Sequence, residues 1–440
     1  VALTGGTLSG VLAVASVNST WALSDGVTLA ESLQQEDGTY VRSYPNGNLA
    51  AHVVGYVSQQ YGTTAIESVM NDTLTGSKDY SSWNNAIASL AGQTQPGNTA
   101  KLTIDSRIQT AAEQALKGFK GAVVVIDPRT GAVLACASSP TYDNTNIDAL
   151  LQTGGGEDGS MYNRAMDALY TPGSTFKVVT LSAALETGTA SLTSTYQAPG
   201  SMDIGNAPVT NYANESYGTI SLQQAFAVSS NVVFGQVANE VGANTLVQFA
   251  NAFGYGQKLG QDLTSAASIM ADPSLMTEWE TAWAGAGQPV GMDHTPGPQT
   301  TVMQNAVIAA AIANSGVVMD PYFVAQVLAP DGTVVKTTQS RSLGQAVSSA
   351  TADQVKQAML AVVQSGTGTD AQIPGVKVAG KTGSAETGGT NVNSMFVGFA
   401  PYDSPTVAIS VALEDFDKHD VKAAKIAGIV LTAALAAQGA

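Results

Sequence analysis

At 440 residues the chain is too long for one ordinary domain; two or three are expected, with length enough for a sizeable buried core. Charged residues are 12% and apolar residues 44%, which excludes disorder and leaves a surface built largely from Ser, Thr, Asn, Gln and Gly. A net charge of -16 excludes nucleic acid as a partner, and one cysteine, Cys136, excludes an intrachain disulfide, a multi-cysteine zinc site and a CxxC redox pair.

The apolar stretch Gly10 to Val17 is too short to cross a membrane. Because the chain starts at Val1 with neither Met nor a basic n-region, we expect a signal or anchor ahead of it that this chain lacks. Short apolar runs broken by Gly, Asn and Ser fill the first hundred residues and end in the turn-rich Gly92 to Asn98. A boundary is expected there, between a smaller N-terminal module (1–98) and a main domain (99–440). Beyond it, Lys101 to Asp105 reads as a strand and Ile108 to Leu116 as a helix. Ala122 to Asp127 reads as a buried strand that turns at Asp127-Pro-Arg-Thr-Gly131 into another, Ala132 to Ala137. Cys136, inside that apolar run, reads as a small buried residue rather than a nucleophile. After the loop Gly154 to Gly159, helices predominate from Thr175 to Gly316. Strands return at Val376 to Ala379, Met395 to Phe399 and Val407 to Ala412, before an Ala-rich helix from Val421 to Ala437. This order predicts an α+β domain whose sheet draws on both ends of the sequence.

Three motifs carry chemistry. Ser174-Thr-Phe-Lys177 follows Pro172-Gly173 and opens an apolar helix ending at Gly188. Lys177 lies one turn from Ser174 on the same face, where a neutral amine could take the hydroxyl proton, and burial with a neighbouring cation would keep it neutral. Ser229-Ser-Asn231 forms a polar turn between two apolar helices, the first opened by a capping box of Ser221 and Gln224. It could relay a proton and hold a substrate carbonyl. Lys381-Thr-Gly383 lies at the end of the strand from Val376. Its cation would hold an anionic terminus, Gly383 would leave room for a substrate backbone, and the N–H of Ser384 could share an oxyanion hole with that of Ser174. By itself the Ser174 motif also fits a solvated surface turn, and the Ser229 motif a plain inter-helix turn.

Together and in this order they resemble the penicillin-recognising serine enzymes. Leu102 to Arg107, Gly121 to Gly131, Ser139 to Asp143, Asn163 to Ala165, Thr171 to Lys177 and Phe396 to Pro401 look like class B penicillin-binding proteins. Asp25 to Ser32 and Tyr40 to Tyr56 are similar to that class's N-terminal, pedestal-like or dimerisation-like module. The resemblance implies a central antiparallel sheet flanked by helices, with an all-helical subdomain. It also implies a D-Ala-D-Ala transpeptidase or carboxypeptidase that cross-links stem peptides through a Ser174 acyl-enzyme and is acylated by β-lactams, with Lys177 as base. Ser229 and Asn231 would assist, and Lys381, Thr382, Gly383 and Ser384 would bind the substrate, its carboxylate held by Lys381, Thr382 and Ser384. No cofactor and no metal are implied. The implied partner is a glycan polymerase of the elongation or division machinery, and the implied place is the outer face of the bacterial membrane. Two departures stand out: Ser384 where Thr is commoner, and Gly285 to Val290 where the family often shows Gly-Gln-Gly.

Rival readings were weighed. Gly375 to Thr382 satisfies a P-loop string, but its middle reads as strand and no helix follows. Glu240-Val-Gly-Ala-Asn244 fits the ExxxN of class A β-lactamases, yet lies too close behind Asn231 to form a separate loop. A β-lactam sensor or an idle divisome scaffold is the third reading. The scattered His52, His294 and His419 suggest no triad or metal site, and Glu414 to Asp417 reads as a solvated strand end.

Overall fold

The computed structural model describes residues 19–74, 97–386, 392–416 and 422–439. The apolar stretch at 10–17, most of the turn at 92–98, the residues after Glu386 in the former P-loop argument, and His419 lie outside the described residues.

The strands that frame the molecule are β1 (Thr20–Ala22), β2 (Thr28–Gln34), β3 (Tyr40–Ser43), β4 (Thr99–Leu102), β5 (Gly121–Ile126), β6 (Val133–Ser139), β7 (Val324–Leu328), β8 (Val334–Thr337), β9 (Ala379–Glu386), β10 (Val392–Ala400) and β11 (Val407–Phe416). The helices used below are α1 (Ser106–Ala115), α2 (Lys177–Glu186), α3 (Leu222–Ala227), α4 (Asn231–Val241), α5 (Glu278–Ala286), α6 (Val302–Ala313), α7 (Ser349–Ser365) and α8 (Ala423–Gln438).

The main sheet has the order β9-β10-β11-β5-β6 and is antiparallel throughout. It therefore joins the two ends of the main domain, as the order of strands, then helices, then strands implied. In β5 every residue is buried, and the period of two divides them. Ala122, Val124 and Ile126 enter the core shared with α2 and α6, while Val123 and Val125 enter the core shared with α1 and α8. Each such fully buried valine or isoleucine contributes about 1.5–3 kcal/mol. Helix α6 is apolar on nearly all sides and buried along its whole length, the signature of a helix passing through a core.

A second sheet, β8-β7-β4-β1-β2-β3, takes strands from both sides of the boundary expected at residue 98. Ala100 of β4 stands between Trp21 of β1 and Val327 of β7. Beside this sheet Glu67 is fully buried, and it accepts from Arg42 Nε at 2.7 Å, Trp21 Nε1 at 2.9 Å and Tyr44 OH at 3.3 Å. A buried carboxylate is tolerated only with such partners.

Several expectations shift. The first strand of the main domain stops at Leu102, because the Asp105 side chain accepts from Arg107 N at 2.9 Å and caps α1. Between α2 and α3 the helical region carries two short antiparallel strand pairs, a hairpin of 201–204 with 207–210 and, enclosing it in sequence, the pair 195–198 with 218–221. The strand expected at 376–379 begins instead at Ala379, so the Lys381 motif lies inside it rather than at its end. Helix α7, capped by Ser348, was not anticipated. Glu414 is no solvated end: its carboxylate accepts from Arg164 Nε at 2.9 Å and Tyr170 OH at 2.8 Å.

Candidate active site

Ser174 sits in a single 3-10 turn, Gly173–Phe176, that runs directly into α2. Three glycines let distant backbones crowd around this turn. Gly173, at φ +54°, donates its N–H to Gly287 O at 3.0 Å, and a side chain there would lie 2.6 Å from Ser384 O. Gly287, just past α5, has φ +94°, and a Cβ on it would come within 1.8 Å of Gly173 O. On β9, a Cβ at Gly383 would meet Pro172 O at 2.8 Å and Thr175 Cγ2 at 2.9 Å. The room at Gly383, expected for a substrate backbone, is thus filled by the nucleophile's own turn. The same packing brings Ser384 alongside the Ser174 turn.

Lys177 is fully buried, and its Nζ lies 2.9 Å from Ser174 Oγ, 2.8 Å from Ser229 O, 2.7 Å from Asn231 Oδ1 and 3.3 Å from Ser229 Oγ. Burial, and secondarily the charge of Lys381, push its pKa well below the ordinary lysine range. A neutral amine has two N–H groups and one lone pair. The two carbonyl oxygens, which can only accept, take the N–H groups, and the lone pair is left for the Ser174 hydroxyl. Lys381 Nζ donates to Ser229 Oγ at 2.9 Å and Thr382 O at 3.0 Å, and burial pulls its pKa down to about 7. Ser229 Oγ therefore stands between the two amines. Its residue is held at φ +64°, a left-handed conformation that costs a non-glycine residue of order 1–3 kcal/mol and that collects at functional sites.

Residues outside the motifs hold this turn. Asn231 Nδ2 donates to Thr210 O at 3.0 Å, which aims Oδ1 at Lys177. Asn211 accepts from Ser230 Oγ at 3.0 Å and Val232 N at 3.1 Å and donates to Pro199 O and Glu215 O. The sequence offers no signal for Asn211 and Thr210, because the link to α4 exists only after folding.

All eight predicted site residues converge. Ser174, Ser229, Asn231, Thr382 and Ser384 line one cleft of about 880 Å³, with Lys177 and Lys381 buried behind it and Gly383 packed on the turn. Tyr212, Trp279 and Trp283 form part of its wall, unanticipated from sequence. Among the described residues no group of three or more His, Cys, Asp or Glu is placed to hold a metal. Glu240, weighed as a hydrolytic base, instead accepts from Tyr196 OH at 2.8 Å and is not among the residues lining the cleft. Cys136 is buried, and burial raises its thiol pKa. His52 is buried against Ser160 O, its pKa lowered by burial to about 4.

Residues 121–434 match the family described as penicillin binding protein transpeptidase domain, and residues 22–100 match the penicillin binding protein A dimerisation domain. The peptidoglycan D,D-transpeptidase PbpA of Mycolicibacterium smegmatis is 32% identical over 86% of this chain and 79% of its own length. Among solved structures, the D,D-transpeptidase domain of peptidoglycan glycosyltransferase from Eggerthella lenta superposes with a TM-score of 0.89 at 43% identity, covering 96% of this chain and 99% of that one. Penicillin-binding protein A from M. tuberculosis, as an imipenem acyl-enzyme complex, gives 0.87 at 31% identity over 97% and 100% of the two chains.

Proposed function

The chain belongs to the penicillin-binding protein transpeptidases, and from that membership we propose how its own residues carry out peptidoglycan D,D-transpeptidation. Lys177 takes the Ser174 proton as Oγ attacks the carbonyl carbon of the penultimate D-Ala of a stem peptide. The N–H groups of Ser174 and Ser384 face the oxyanion that forms. Collapse breaks the amide bond, and the proton held by Lys177 passes through Ser229 Oγ to the departing D-Ala amine. An amine from a neighbouring stem then attacks the ester carbon, gives its proton back along the same route, and leaves the cross-link made and Ser174 free. Lys381, with Thr382 and Ser384, holds the carboxylate of the donor.

The observation that carries this reading is Lys177 Nζ, buried and 2.9 Å from Ser174 Oγ with its two N–H groups already committed to carbonyls. β-Lactams carry an acyl group and a carboxylate that the same residues would receive. The enzyme acts outside the cytoplasm, as peptidoglycan synthesis enzymes do. We further propose a separate glycan polymerase as partner, supported by the class of enzyme. We propose too an N-terminal membrane anchor, supported by the place of peptidoglycan synthesis outside the cytoplasm, where a tether would keep the enzyme beside the membrane. Among the described residues no helix is long and apolar enough to cross a membrane.

The test is intact-protein mass spectrometry with penicillin, followed over hours. A stable adduct on Ser174, absent in Ser174→Ala of unchanged melting temperature, is expected. Rapid drug hydrolysis would indicate a β-lactamase, a lasting adduct with no turnover of stem peptides a sensor, and no adduct an idle scaffold.

A further inference from the structure

We infer that Thr367, which is not among the residues lining the cleft, is a positioning residue that sets the direction of the Thr382 hydroxyl proton and so its capacity to bind a carboxylate. The inference rests on the assignment of Thr382 to carboxylate binding. Thr367 Oγ1 and Thr382 Oγ1 are 2.5 Å apart, within hydrogen-bond distance, and either oxygen can supply the proton. A carboxylate only accepts hydrogen bonds, and a threonine hydroxyl has one proton to give. If Thr382 gives its proton to Thr367, only lone pairs face the substrate carboxylate, and the contact is repulsive. If Thr367 supplies the proton, that of Thr382 is free for the ligand. Binding an anion therefore selects the second arrangement, and the donated bond polarises Thr382 further.

The backbone holds Thr367 where this requires. It follows α7 in the turn Gly366-Thr367-Gly368, and its N–H donates to Ala227 O at 3.2 Å, at the end of α3 and two residues from Ser229. Gly366 permits the approach, since a Cβ there would lie 2.5 Å from the same Ala227 O. One residue thus joins the wall bearing Ser229 to the strand bearing Lys381 and Thr382, by main chain on one side and side chain on the other. Thr367 itself is solvent-exposed, and it is not among the residues lining the cleft, so its effect passes through Thr382.

The experiment measures Ser174 acylation by penicillin G across drug concentrations, separating the saturation constant from the limiting rate. In Thr367→Val the saturation constant is expected to rise about five- to tenfold, the worth of one hydrogen bond, with the limiting rate within about twofold. Thr367→Ser should restore it. In a Thr382→Val background Thr367→Val should add nothing, because the two act as one unit. An unchanged saturation constant, a loss confined to the limiting rate, or effects that multiply in the double variant would each overturn the inference. A wild-type chain that takes up no penicillin would overturn the functional reading, and this inference with it.

Discussion

Replacing Gly287 by alanine should disable the nucleophile from outside all three motifs. The new Cβ would lie 1.8 Å from Gly173 O, whereas ordinary contact begins at 3.4 Å, so one of the two backbones must retreat by roughly 1.5 Å. Its φ of +94° is also one that alanine adopts only under strain. Overpacking and backbone strain cost about 1–3 kcal/mol each, so together roughly 2–6 kcal/mol of stability. The folded fraction should lose activity as well. Gly173 precedes Ser174 and its N–H is bonded to Gly287 O, so the retreat is passed to Oγ, and a displacement near 1 Å costs on the order of a hundredfold in rate. The assay is the acylation rate with a fluorescent penicillin, read beside a thermal melt. Gly316→Ala is the control: there φ is +88° and the Cβ would lie 2.0 Å from Val347 O, away from the cleft, so stability should fall while the folded fraction acylates normally. Wild-type acylation in Gly287→Ala would refute the claim that this backbone junction sets the nucleophile.

Acylation efficiency should follow a bell in pH. It rises as Lys177, held well below the ordinary lysine range, loses its proton, and it falls as Lys381 loses its own near about 7, because the base must be neutral and the carboxylate anchor charged. A profile that keeps climbing to pH 10 would contradict the burial of Lys381. In the N-terminal module, Glu67→Ala should cost about 3–5 kcal/mol, since it strands Arg42 without its buried partner. Calorimetry reads that loss, and acylation at low temperature should be unaffected.

How far the sequence carried these conclusions depended on distance along the chain. Ser174 and Lys177 share one helical turn, so their spacing already implied contact, and β5 announced itself as a run of buried β-branched residues. The two strand pairs at 195–221 are four-residue strands of mixed polarity with no clean alternation, and such segments look like loops. Gly383 was legible as a place of close approach, but not what approaches it, because Pro172 and Thr175 reach it only through the tertiary fold. Thr367 and Asn211 stayed invisible for the same reason. Their partners lie 15 and about 20 residues away across separate elements, and no local pattern encodes that.

The strand order of the main sheet also governs timing. β11, between β10 and β5, is the last in chain order of the strands described, and it joins the early hairpin β5–β6 to the late pair β9–β10. A growing chain that has already emitted Ser174 and Lys177 still lacks Lys381 and the strand that carries it. A nascent polypeptide that ends before β9 is therefore catalytically silent, and reactivity waits until β9 to β11 are available to fold. Premature termination between α2 and β9 would yield a product that carries Ser174 and Lys177 but neither Lys381 nor the strand that closes the cleft.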